Sequence, residues 1–145
     1  MDLKGTYRYL FMVRVLDSQI IKKEAKRNAL VSCLLPGSMD YNTDKVQNSL
    51  GDKMTEIMAE VADIDAEIRE LMIKKAEWIR KVSEAVEHLE NDSEQIILLE
   101  YYLNRKEMTA IAKQINYSVR HCYTMKRRGV KNLQQYLTEL EENES

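Results

Sequence analysis

The stretch LGDKMTEIMAEVADIDAEIRELMIKKAEWIRKVSEAVEHL, Leu50 to Leu89, decides how this chain folds. Leu50, Met54, Ile57, Val61, Ile64, Ile68, Leu71, Lys75, Trp78, Val82, Ala85 and Leu89 follow one another at alternating steps of four and three. That is the seven-residue repeat that keeps one apolar seam of an α-helix turned toward a partner helix. Only Lys75 interrupts it. A helix of about 40 residues rises about 60 Å, too long for one side of a small globule. The seam must therefore be covered by the preceding segment folding back, by a second copy of the chain, or by both, and a small homo-oligomer is expected on this ground.

Upstream, Tyr9, Met12, Val13, Leu16, Ile20, Leu30 and Val31 recur at helical spacing and predict one long helix from Tyr7 to about Ser32. Between the two helices LLPGSMDYNTDKVQN carries Pro36 and Gly37 followed by Ser, Asp, Asn and Thr, residues that form turns. Ser49 is the expected N-cap of the second helix in preference to Thr43. A start at Thr43 would place Gly51 inside the helix at about 1 kcal/mol relative to Ala.

The composition agrees with an all-α chain: 145 residues hold 4 Gly and 1 Pro, and 32% are charged. Cys33 and Cys122 stand far apart and suggest neither a disulfide framework nor a zinc site, in keeping with a reduced, cytosolic compartment. The start MDLKGTYRYL does not read as a signal peptide, and no apolar run is long enough to span a bilayer. Catalysis has little support: His88 and His121 lie on different elements, and no Cys-His or Ser-His constellation can be paired. No enzyme activity, cofactor or metal is expected. The methionines, Met54, Met58, Met72, Met108 and Met125 among them, are expected to serve packing.

Downstream, LENDSEQ closes the second helix, with Asn91 and Glu94 spaced as in a capping box. Shorter helices are expected at Asp92 to Leu103, Met108 to Ile115, and Val119 to about Leu140, broken at NRKE and NYS. Asn116 suits a left-handed C-cap and Ser118 an N-cap. Two helices on so short a turn, the second basic, describe a helix-turn-helix. The expected organisation is a long two-helix hairpin or coiled coil over 1–90, a DNA-binding helix-turn-helix domain over 91–140, and an acidic tail over 141–145 that frays.

An α-helix advances about 100° per residue, which sorts the last helix into two arcs. Val119, Cys122, Gly129, Val130, Leu133 and Leu137 fall together and can pack on Ile111, Ala112 and Ile115. Arg120, His121, Thr124, Arg127, Arg128 and Lys131 fall opposite, while Lys126 lies near the apolar arc, where its stem can pack. The chain as a whole has net charge -2, yet Met108 to Thr138 carries six Lys or Arg and no carboxylate, leaving the remainder at -8. A one-sided basic stripe on a helix-turn-helix points to double-stranded DNA. Arg and Lys neutralise phosphates, and the first turns of the second helix enter the major groove.

MTAIAKQINYSVRHCYTMKRRGVKNL, Met108 to Leu133, resembles the helix-turn-helix of sigma factor region four, in the version found in RinA-type transcriptional regulators of phages and prophages. DKVQNSLGDKM, Asp44 to Met54, resembles the segment that joins the two long helices in that group, so the likeness spans nearly the whole chain. The resemblance implies activation of late or packaging-gene transcription, by binding DNA upstream of a promoter and touching bacterial RNA polymerase. It places recognition positions at Ser118, Arg120, His121, Thr124 and Arg128. Together with Lys113, Arg127 and Lys131 from the charge pattern, these form the expected DNA-binding set. Met108, Asn116 and Gly129 depart from the family's usual aromatic, glycine and alanine. Asp92 to Leu103, with Glu94 and Glu100 exposed, is the expected polymerase contact. Two other readings fit the pattern: a packaging factor resembling a small terminase subunit, and a coiled-coil adaptor whose basic helix binds an acidic protein.

Overall fold

The computed structural model describes residues 1–35 and 44–144, and the side chains of all these but 44–49. The described residues form α1 (Leu3–Ser32), α2 (Asp44–Val86), α3 (Asp92–Leu98), a π-helical turn (Leu99–Leu103), α4 (Met108–Ile115) and α5 (Val119–Glu144), with no strand among them. The fold is all-α, as the composition requires. The expected turn around Pro36 and Gly37, and a cap at Thr43, lie outside the described residues.

The α2 helix begins five residues before the expected Ser49, so Gly51 and the whole of Asp44 to Met54 are helical and the last of these segments is not a loop. A Cβ at Gly51 would meet nothing within 4 Å. Its cost is thus one of propensity alone, about 1 kcal/mol, which a helix of 43 residues absorbs because each added residue extends a nucleus already formed.

The chain divides into two compact units, Leu16–Lys74 and Met1–Val15 with Lys75–Ser145. In the first, α1 and α2 run antiparallel. Ile20, Ile64 and Ile68 are buried together, with Leu30 and Leu71 packed against them. Lys23–Glu67 at 2.6 Å, Lys26–Glu60 at 3.2 Å and Arg27–Asp65 at 2.5 Å fix the direction and register. Such exposed pairs contribute about 0–1 kcal/mol each, so the apolar seam carries the stability of this unit. From Leu50 to Leu71 every heptad position named above is covered or half-covered, while Met58 and Met72 point outward, against the expectation that they pack. Over Ile64 to Leu71 the seam is packed by α1, through Ile20 and Leu30.

In the second unit, the start of α1 and the end of α2 share a core with the later helices. Leu10, Val82, Val86, Leu98, Tyr102, Val130 and Leu133 are all fully enclosed in it. Trp78 meets Tyr9 edge-on at 5.3 Å, and the Tyr9 hydroxyl donates to the Lys81 carbonyl at 3.1 Å. A smaller core of Ile97, Met108, Ile111, Ala112, Cys122 and Met125 joins α3, α4 and the first turns of α5. This grouping by contact differs from the expected line between 1–90 and 91–140, because Tyr9, Leu10, Val82 and Val86 bury the far side of α5. The tail is helical to Glu144, and the Met1 amine is 2.8 Å from the Glu141 carboxylate.

Candidate nucleic-acid interface

The turn between α4 and α5 is built by two side chains with separate tasks. Asn116 takes φ 61° and ψ 42°, the left-handed conformation an amide side chain tolerates better than most, and its N–H bonds the Ala112 carbonyl to end α4. Ser118 then opens α5: its Oγ accepts from the His121 N–H at 3.1 Å. Both caps agree with the sequence. Ser118, on the expected DNA-binding list, therefore has a structural duty as well.

Beyond the cap, Cys122, Met125, Gly129, Val130, Leu133 and Leu137 are buried. Val119, assigned to that arc, is 37% exposed at the first position of the helix. On the other side Arg120, His121, Arg127, Arg128 and Lys131 are exposed, and Thr124 is half-buried. Thr124 Oγ1 donates to the Arg120 carbonyl at 3.2 Å and accepts from Arg127 Nη2 at 3.5 Å, which ties three of the expected residues into one local group. Lys113 stands exposed on α4. Arg128 lines a polar cavity of about 440 Å³ beside Asn91, Glu94 and Asn132, toward α3.

Sequence reasoning missed Tyr117, whose exposed ring lies 5.1 Å from that of His121 and so extends the candidate face into the turn. The signal was available in the adjacent letters NYS, read only as a break. It also misplaced two acids. Glu94 is 2% exposed, its Oε2 accepting from Asn132 Nδ2 at 3.2 Å, so α3 cannot offer it to a partner. The Asn91 side of the capping box is present, with Asn91 Oδ1 accepting from the Glu94 N–H at 3.0 Å. Glu100 is half-buried and ion-paired to Lys106. The Lys106 hydrogen bond, opposed by burial and helped by Asn104, holds its carboxyl below the usual carboxylate range. Glu100 thereby fastens the loop Asn104–Glu107 to the π-helical turn.

Among the described residues no group of histidine, cysteine or acidic side chains could hold a metal ion, and both cysteines are free. No described helix is long and apolar enough to cross a membrane. What the arrangement offers is a helix with an apolar back and an exposed front rich in donors. Comparison with curated proteins and with solved structures finds no match. A family model described as "Protein of unknown function (DUF1492)" matches residues 36–134, about two thirds of the chain and the whole of the α4–turn–α5 face, and the chain belongs to that family.

Proposed function

We propose that this chain is a sequence-specific DNA-binding transcriptional regulator in which α5 enters the major groove, with Arg120, His121, Thr124 and Arg128 toward bases and Lys113, Ser118, Arg127 and Lys131 toward phosphates. The observation that carries the reading is the exposed arc of α5, which has no carboxylate anywhere between Met108 and Thr138. Long-range attraction and phosphate neutralisation both follow from such a face. Log affinity should fall linearly with log salt at about -0.9 per phosphate contacted. A titration series across salt concentrations tests it: salt-independent binding, or an Arg120→Ala, Arg128→Ala double variant that binds like the parent, sinks the proposal.

The finer reading, a phage or prophage late-gene activator working with host RNA polymerase, rests on the resemblance of Met108 to Leu133 to sigma factor region four. Its polymerase surface must be sought away from Glu94 and Glu100. In vitro transcription on a template that binds the protein separates activation from repression or packaging. Self-association is supported by the length of α2 and the half-covered seam positions Leu50, Met54, Ile57 and Val61, and light scattering of the parent protein decides it: a ring of many copies favours a packaging factor, a monomer or small oligomer the regulator.

A further inference from the structure

Two cations share one tyrosine in the α5 unit. The Arg14 guanidinium carbon lies 4.7 Å from the centre of the Tyr101 ring, and Lys126 Nζ lies 4.5 Å from the same centre. Arg14 Nη2 donates to the Tyr101 carbonyl at 2.5 Å, while its Nε is buried without a hydrogen-bond partner. Among the described residues neither cation forms an ion pair. A ring quadrupole attracts each cation but carries no net charge, so it cannot cancel the repulsion between them. The Lys126 amine is pushed below the usual lysine range, first by burial and then by Arg14 and Arg127. The cluster has donors and a buried floor in Tyr102, and among the described residues no carboxylate is ion-paired to either cation.

We propose that Arg14 and Lys126 form an oxyanion site for a phosphate group, and that in the nucleic-acid complex this group is a backbone phosphodiester lying beside the recognition helix. The second half rests on the DNA-binding reading above. Lys126 directly precedes Arg127, which is on the exposed arc, and Lys126 Nζ lies 6.0 Å from the ring of Tyr123, which is 41% exposed. The site would bring α1 into a footprint otherwise made by α4 and α5, and the charge-assisted bonds from guanidinium and ammonium suit a phosphate oxygen.

The test follows the Lys126 amine by NMR on protein labelled with carbon-13 at the lysine ε position, assigned with Lys126→Met. Its titration is recorded in chloride, in inorganic phosphate at matched ionic strength, and with a short mixed-sequence duplex. A bound oxyanion raises the midpoint, so it should move up in phosphate and with duplex, and the phosphate-dependent rise should shrink in Arg14→Gln. In parallel, Lys126→Met should reduce the salt slope of DNA binding by about 0.9, one contact. Identical midpoints in all three conditions overturn the site. A duplex bound through Arg120 without any Lys126 response also overturns it, while leaving the regulator reading intact. A response to phosphate with no binding of duplex by the parent protein upholds the oxyanion site and overturns its assignment to DNA.

Discussion

Gly129 brings the α5 backbone into close contact with α3, and replacing it tests how tightly α5 is held. A Cβ built there lies 3.3 Å from Glu94 Cβ and 3.4 and 3.5 Å from two atoms of Leu98. Glu94 Cβ cannot rotate away, since it is fixed to the α3 backbone, so even alanine must displace a helix by a few tenths of an ångström. Gly129→Ala gains about 1 kcal/mol of helix propensity against this, and should leave stability near the parent value. Gly129→Leu gains nearly the same propensity, about 1 kcal/mol, but its further atoms fall among Leu98 and the Glu94 stem, where overpacking costs about 1–3 kcal/mol. Separating the helices also stretches the Glu94–Asn132 hydrogen bond and leaves a buried carboxylate short of a partner, another ~1–3 kcal/mol. The net, about 1–5 kcal/mol after the propensity gain, lowers the melting temperature by about 3–15 °C at ~3 °C per kcal/mol for a chain of this length. Thermal unfolding by circular dichroism measures it. A Gly129→Leu protein that melts with the parent would refute the claim that α3 and α5 meet in close contact.

Leu10→Ala removes a fully buried side chain that α1 contributes to the α5 core and should cost about 2–5 kcal/mol, read in urea as a lower unfolding midpoint; an unchanged midpoint would separate α1 from that core. The Glu100 carboxyl, held low in the folded state, stabilises the protein above the unfolded carboxylate value near pH ~4.3, and that contribution disappears as pH falls through the lower folded value. Lys106→Met should therefore flatten the loss of stability across that acid window, and an acid limb identical to the parent's would rule out the pairing.

The sequence carried the local geometry well because local geometry depends on neighbouring letters. The heptads from Leu50 to Ala85 read directly onto the covered face of α2, Leu89 lying beyond its end, and Asn116 and Ser118 onto the caps of the helix-turn-helix, since cap chemistry is set within four residues. Periodicity names a face without naming what lies on it. That is why Leu10, Val82 and Val86 as partners of Val130 and Leu133 were invisible, and why periodicity alone leaves α1, a second copy or both as cover for the α2 seam. Glu94 was misread for the same reason: a carboxylate at a helix start is ordinarily solvated, and only Gly129 and Asn132, more than thirty residues on, enclose it. The exposed basic arc could be read because it rests on the absence of acids, a property of one contiguous segment.

The π-helical turn at Leu99–Leu103 has a bearing on how this chain can change over generations. A π-helical turn closes on i→i+5 bonds and so holds one residue more than an α-helical turn of the same rise. Here the N–H of Asn104 reaches the Leu99 carbonyl at 3.2 Å. Loss of a single codon within this turn could be taken up by reversion to α-helical winding, leaving Ile97 and Leu98 on one side and Met108 on the other in their present packing, whereas the same loss inside α3 or α5 would rotate every later side chain by about 100°. Length variation among related chains should accordingly concentrate at this turn, and Tyr101 and Tyr102, which it holds, are the side chains whose bearings would swing with it.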